Sequence, residues 1–511
     1  MNSLSATDVC VIVVGILAVM VWGLWKSGRQ RTVEDYFLAG GRLQWWLVSI
    51  SMYSNLLTPM SFIGVSGWIF AKDSRWFVGN AIAGALALYF AAALWIPLWS
   101  SLRPLSIFEY LERRFHPAVR TFGAVLFLVQ MICWLGNLLV STADVFERLT
   151  ALPMLGCLGG VLLAATLYTF VGGARADVMS DLAHFCILLF SLAVLAFALL
   201  REFHWSPGDL YSAASTRIST TTGHTSTTIF SAEFDLAIEG TFWAILFHRF
   251  YGVLTFGTEQ LTVQRLLATQ GQGGMRRAMW GFVSLDLVVT GISVLVAWGL
   301  VASFQRQPEP ALEGNPDALM MSYVGKALPS GVRGLVLSGV LAALMASYDT
   351  GLNSLSNIVL NDIYRRFFVS GKSERHYLAV SRILTLAFAV AIFFFALWQQ
   401  QHRNVTALQR VGQYAALFSG PLASAFLLGV LFRRTSTLSA WAGIVAALMF
   451  SLTFNGIPSV LRPFVQGVNW IWVAGFSTLA GVALGWIVSF AGRGRSDEEL
   501  RGLTVWNPAV K

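Results

Sequence analysis

The sequence predicts an all-α integral membrane protein with about thirteen transmembrane helices. Three observations carry this. Of the 511 residues, 56% are hydrophobic and only 12% charged, about half the charge of an ordinary soluble chain. The apolar residues fall in blocks of about 20, each long enough to cross a hydrocarbon layer about 30 Å thick. Lys and Arg gather in alternate loops, the bias that sets membrane topology.

The first span, Asp8–Trp25, follows a start without Lys or Arg, so no cleavable signal peptide is expected. The second, Trp45–Phe70, is wrong for a plain membrane helix. Ser51, Ser54, Asn55, Thr58, Pro59, Ser61, Gly64, Ser66 and Gly67 interrupt it. Lipid offers no hydrogen bonds, so unwound backbone survives there only inside the protein or along a watery cavity. The expectation is a broken helix at a binding site, against the plainer reading of a kinked helix packed on small residues.

The later spans are Val78–Trp99, Val119–Leu149, Met154–Val171, Asp177–Leu200, Phe234–Gly257, Met279–Ser303, Arg333–Val359, Tyr377–Trp398, Ala407–Phe432, Leu438–Phe454 and Val468–Phe490. The seventh looks broken around Thr255, between Gly252 and Gly257. Pro421, beside Ser419 and Gly420, marks a third interruption in the eleventh. Two broken spans five apart are the signature of two inverted five-helix repeats. The whole chain reads as one transporter domain: a first helix at 8–25, repeat one at 45–200, repeat two at 234–432, further helices at 438–490 and a short tail at 491–511.

With the N-terminus outside, the cytoplasmic loops hold Lys26, Arg29, Arg31 and Arg42, then Arg103, Arg113, Arg114 and Arg120, and later Arg365, Arg366, Lys372 and Arg375. The C-terminus is then cytoplasmic. This bias accounts for most of the net charge of +9, which removes nucleic acid as a partner. Cys10, Cys133, Cys157 and Cys186 lie in apolar segments, with neither metal-site nor disulfide spacing. No nucleophile–base pair, metal-ligand cluster or phosphate loop stands out, so an enzyme is not expected. Short loops point to a bacterial inner membrane, with no obligatory protein partner evident.

Four motifs carry chemistry. Glu34-Asp35-Tyr36-Phe37-Leu38-Ala39-Gly40-Gly41-Arg42 follows the first span, and Thr258-Glu259-Gln260-Leu261-Thr262-Val263-Gln264-Arg265 follows the seventh. The sixth opens on Gly172-Gly173 and then Met179-Ser180-Asp181. The ninth holds Ala343-Leu344-Met345-Ala346-Ser347-Tyr348-Asp349-Thr350, with Asn361-Asp362-Ile363-Tyr364 beyond it. In this order, over nearly the whole chain, they resemble the solute:sodium symporter family of sugar, proline, sialic acid and monocarboxylate carriers, and most of all its bacterial sugar and sialic acid members. The resemblance implies the LeuT-like inverted-repeat fold and Na⁺-coupled uptake.

The residues make their own case for sodium. A small hard cation takes oxygen ligands. Ala343, Ser347 and Thr350 fall at i, i+4 and i+7, on one helical face. The broken second span could offer free carbonyls at Ser54 and Leu57. By resemblance these are the principal sodium site: the carbonyls of Ser54, Leu57 and Ala343 and the hydroxyl of Ser347. Many relatives carry two adjacent serines where this chain has Ala346 and Ser347, so one hydroxyl ligand is missing. The plainer reading has Ser347 bonding back to its own helix.

A carboxylate inside a span is costly and usually functional. The resemblance implies that Asp181 joins Thr350 and Asp349 in a second sodium site, although His184 stands where the family usually has glutamine. Otherwise Asp181 pairs with Arg175 or Arg249. For the substrate, the resemblance points to Thr58, Ser61, Asn80, Trp134 and Asp286, with Trp76 as an aromatic lid and Gln413 as a further polar candidate. Trp134 falls near the arginine with which sialic acid carriers hold a carboxylate, and its presence argues against an acidic substrate. A buried Arg249 needs a partner, for which Glu239, Glu259 or Asp286 could serve.

The leading expectation is sodium-coupled import of a small polar organic solute, a sugar or sugar derivative, by alternating access. The alternatives are a proton-coupled carrier of the same fold, with Asp181, Asp286 or His184 titrating, a carrier for an organic acid or amino acid, and a transporter-like sensor.

Overall fold

The computed structural model describes residues 4–27, 32–150, 152–402, 407–454, 468–491 and 495–506. Apart from two isolated bridges, the regular structure among them is helical. The first span is α1 (Ala6–Ser27), and a short α2 (Val33–Leu38) follows, capped by the Thr32 hydroxyl, which accepts from the Asp35 amide at 3.0 Å. The second span is two helices, α3 (Trp45–Leu56) and α4 (Pro59–Ala71). Then come α5 (Arg75–Leu102), α6 (Phe108–Arg114), α7 (Pro117–Thr150), α8 (Met154–Glu202) and α9 (Pro207–Ser215).

The second half runs through α10 (Phe242–Thr255), a tight turn at Phe256–Thr258, α11 (Gln260–Leu267) and α12 (Gly271–Arg306). Short helices α13 (Pro310–Glu313) and α14 (Leu319–Ala327) lead into α15 (Val332–Ile358), which continues as a wider π-helical stretch, Val359–Phe368. The chain closes with α16 (Glu374–Gln401), α17 (Ala407–Leu431), α18 (Thr437–Phe454) and α19 (Trp470–Ser489). Among the described residues, nine helices are long and apolar enough to cross a membrane, and Ser61–Ala71, Met154–Leu163 and Leu417–Leu431 are shorter apolar pieces.

Three expectations are corrected. The fifth and sixth spans form one hydrogen-bonded helix, α8, because Gly172 and Gly173 weaken a helix without ending it. The seventh span begins at Phe242 rather than Phe234. Thr241 is its cap, accepting from the Ala244 amide at 3.2 Å, after a turn that puts Gly240 at φ 85°. Pro421 does not break the eleventh span, since α17 continues through it. Beside it the Thr478 hydroxyl of α19 lies 3.4 Å from the Gly420 carbonyl, tying the two helices together.

The other two breaks are present. Trp95 explains the second of them. Its indole lies where a side chain on Gly257 would stand, and its Nε1–H donates to the Val253 carbonyl at 3.0 Å. The helix therefore stops beside a bulky ring that only glycine admits. At the centre of the bundle is α15, where every residue from Val336 to Ile358 is buried. It packs on α8, α1, α7 and α3. Its first turn is tied to α1 by the Asp8 carboxylate, which accepts from the Gly331 and Gly334 amides at 2.7 and 3.0 Å. An anion at a helix N-terminus offsets the unpaired amides there.

Candidate functional site

The break between α3 and α4 follows from Thr58-Pro59. Pro59 has no N–H, so the Asn55 carbonyl cannot receive its helical donor. The Thr58 amide turns back to the Leu56 carbonyl at 3.0 Å, and so does not reach Ser54. The Ser61 amide goes to the Thr58 hydroxyl at 3.1 Å instead of to the Leu57 carbonyl. Three acceptors are thereby freed inside the bundle: the carbonyls of Ser54, Asn55 and Leu57.

Ser347 of α15 faces this break. Its hydroxyl lies 3.2 Å from the Asn55 carbonyl oxygen and 3.3 Å from that of Ala343. Bonding back to its own helix and reaching the broken span are thus the same geometry. Oxygen acceptors from two helices converge on one fully buried hydroxyl, and such a donor set fits a small hard monovalent cation. The sequence pointed to Ser54 and Leu57 but passed over Asn55. The signal was available, because a proline four residues on frees a carbonyl.

The residues considered for a second cation are also together. Asp181, His184 and Asp349 are buried, with ligand atoms within 4.8 Å of one another. Ser51 donates its hydroxyl to Asp181 Oδ2 at 2.5 Å. Thr350 donates to Asp177 Oδ1 at 3.2 Å. Asp181 does not pair with Arg175 or Arg249. Arg265 of α11 enters the set instead, with Nη2 at 2.6 Å from Asp177, 3.4 Å from Asp181, and hydrogen-bonded to Thr350. A guanidinium thus stands among the very oxygens that a second sodium would use. Asp177 and Arg265 were not singled out as site residues from the sequence, although Arg265 sits inside a motif that was, and Ser51 was noted only as interrupting the second span. Its role depends on α11 folding back onto α3 and α15.

The remaining candidates lie around α5, α10 and α12. Thr58 caps α4, and its Oγ1 is 3.1 Å from the Ser61 hydroxyl. On α5, Asn80 donates to the Trp76 carbonyl at 2.7 Å, and its buried Oδ1 has no hydrogen-bond partner. The Trp76 ring lies 6.4 Å from that of Trp68 and 5.0 Å from His248. Asp286 of α12 accepts from Thr290 at 3.4 Å and interacts electrostatically with Tyr53 and Arg249. Glu239 is not the partner of Arg249, since it is held by Lys72 at 2.7 Å. Trp134 is half-buried on α7, packed on the main apolar core. Gln413 falls within α17, where its side chain lies outside the described residues.

Comparison with known proteins places this architecture. The model of the sodium:solute symporter family matches residues 36–447. The sodium/sialic acid symporter NanT of Aliivibrio fischeri is 26% identical over 444 residues, 84% of either chain. The sodium/glucose cotransporter of Vibrio parahaemolyticus is 24% identical over 497 residues, 91% of this chain and 88% of its own. The solved structure of a Na⁺-coupled sialic acid symporter, substrate-bound and outward-open, superposes with a TM-score of 0.84 at 18% identity, covering 96% of this chain and 99% of that one. The last likeness establishes the fold, and the family match covers most of the chain. This protein belongs to the sodium:solute symporter family.

Proposed function

We propose that the chain imports a small polar organic solute, a sugar or sugar derivative, together with sodium, by alternating access. The observation that carries this is the Ser347 hydroxyl, which lies between the freed Asn55 carbonyl of the broken second span and the Ala343 carbonyl of α15. Sodium held by the carbonyls of Ser54, Leu57 and Ala343 and the Ser347 hydroxyl, with Asn55 as a further ligand, ties α15 to α3. That favours one arrangement of the bundle and organises the solute site beside it. Coupling is a differential affinity between states, so sodium and solute each tighten the other by the same factor.

In this reading the second cation set of Asp181, Asp349 and Thr350 is served by the Arg265 guanidinium, and one sodium accompanies each solute. The solute site is assigned to Thr58, Ser61, Trp76, Asn80 and Asp286, with Trp134 and Gln413 as further candidates from the sequence. The family and its bacterial members support an inner-membrane location, with the basic loops and the C-terminus cytoplasmic.

The test is the melting temperature of the purified protein against sugars, sugar acids and amino acids, in sodium and in choline at equal ionic strength. A ligand that binds the native state raises the melting temperature. One compound stabilising only in sodium is the expected result. If sodium shifts nothing, alone or with any compound, the reading fails. A second reading, coupling to protons, draws on Ala346 and on the buried Asp177–Asp181–His184 group. It predicts uptake that follows pH and ignores sodium.

A further inference from the structure

Two adjacent arginines, Arg433 and Arg434, lie in the turn between α17 and α18, and a third arginine fixes that turn from beneath. Arg114 of α6 is fully buried. Its guanidinium donates to the carbonyls of Gly429, Phe432 and Thr435 at 3.1, 2.8 and 3.0 Å, and to the Thr435 hydroxyl at 2.8 Å. A cation there offsets the unpaired carbonyls that end α17. Arg433 and Arg434 stand exposed on the turn so held.

The stretch 495–506 folds back onto the same place. Tyr110 donates its hydroxyl to the Leu503 carbonyl at 2.9 Å, and the Val505 amide donates to the Val430 carbonyl at 3.1 Å. The Trp506 indole N–H donates to the Leu431 carbonyl at 2.6 Å. A cavity of about 360 Å³ opens between Trp506, Trp486 of α19 and the two arginines. Phe432 adds to its apolar wall, with its ring 6.3 Å from that of Trp486. Arg433 donates to the Trp506 carbonyl at 3.1 Å and stands 3.6 Å from Asp497, an exposed pair that is worth little. Arg434 has no ion pair and no hydrogen bond among the described residues.

Apolar segments of α17, α18 and α19 end here, at Leu431, Thr437 and Ser489. Leu438, Ile487 and Phe490 beside them are exposed, as side chains against lipid tails are. The cavity therefore sits where hydrocarbon gives way to headgroups, the level at which tryptophan gathers. We infer that it is a seat for an anionic phospholipid, with the phosphate held by Arg433 and Arg434, the glycerol against Trp486 and Trp506, and the acyl chains along Ile487 and Phe490. A phosphodiester presents two oxygens to the guanidinium forks. Basic pockets between helices at headgroup level take such lipids. A zwitterionic headgroup would bring its own ammonium to two arginines, so the fit is to net negative charge. The lipid would join the α17–α18 turn, α19 and the tail, and it stands apart from the solute and its ion.

Native mass spectrometry and melting temperature of the full-length protein in detergent test this, with dioleoyl phosphatidylglycerol, dioleoyl phosphatidylcholine and soluble glycerol phosphate as probes. Phosphatidylglycerol is expected to bind more tightly than phosphatidylcholine and to raise the melting temperature further, and glycerol phosphate to do neither. Arg433→Gln with Arg434→Gln should weaken phosphatidylglycerol about thirtyfold. Phosphatidylcholine binding, and melting without lipid, should stay as in the parent. Lys372→Gln with Arg375→Gln removes the same charge from an exposed loop outside the cavity, and should leave phosphatidylglycerol bound as before. Equal binding of the two lipids, stabilisation by glycerol phosphate alone, or the same loss in both double variants overturns the inference. Should the glutamine pair fail to fold, Arg433→Lys with Arg434→Lys keeps the charge and gives up the fork. It should bind phosphatidylglycerol more weakly, and parental binding by it overturns the inference as well.

Discussion

The Ser347 hydroxyl lies 3.2 Å from the Asn55 carbonyl, bridging the most buried helix of the bundle to the one interrupted by Pro59. Ser347→Ala removes that bridge and keeps a good helix former. Sodium should then stabilise the protein at least about tenfold less tightly. Titrating the melting temperature with sodium, against choline, measures this. An unchanged midpoint would place the ion elsewhere.

Ala346→Ser restores the neighbouring hydroxyl that many relatives carry. Ala346 is fully buried on α15, so the added oxygen must be accommodated by close-packed neighbours. The expected outcome is a sodium midpoint lowered by about threefold, with a small drop in stability without sodium, of about 1 kcal/mol. Sodium titrations of the two proteins side by side decide it.

Arg265, from α11, pairs with both Asp177 and Asp181 of α8. Removing one partner of a buried ion group leaves the others uncompensated. Arg265→Gln should therefore cost about 3–5 kcal/mol in stability. If the guanidinium stands in for a second sodium, part of that loss should return at high sodium, and the dependence on sodium should steepen. The slope of transport against sodium concentration reads this. Asp181→Ala on its own should leave one sodium per solute.

Glu112 gives a pH prediction. It accepts from Arg366 at 2.6 and 2.7 Å and from Arg120 at 2.8 Å, joining α6, α7 and the stretch after α15. Burial pushes its carboxyl up, but the two guanidinium groups outweigh this and hold it below its ordinary value of 4.5. A lowered carboxyl stabilises the fold above the unfolded value and loses that contribution as pH falls through the folded one. Glu112→Gln should melt about 2 °C lower at pH 7, a small effect because the group is partly exposed. The gap should close as pH falls below the ordinary carboxylate range.

Much of this was legible in the sequence, for physical reasons. Apolar runs must be helices in lipid, and Thr58-Pro59 inside one must break it. Pro421 carries the same chemistry and was misread. What separates the two is the surrounding backbone: beside Pro59 the Thr58 amide turns back to Leu56 and the Ser61 amide goes to the Thr58 hydroxyl, whereas α17 runs on through Pro421. The pairing of Arg265 could not be read from the sequence, because although it closes a motif, Asp177 and Asp181 lie more than eighty positions away. Arg249 stood out as a charge inside a span, but spacing could not show that Gly84 of α5 makes room for it.

Pro59 has one further consequence. A helix emptied of its ion would ordinarily close up, each acceptor recapturing the amide four residues on. Here the amide due to Asn55 does not exist, and no motion of the chain can supply it. The gap is written into covalent structure, so on the proposed sodium assignment a carrier returning without cargo keeps its docking place shaped for the next one.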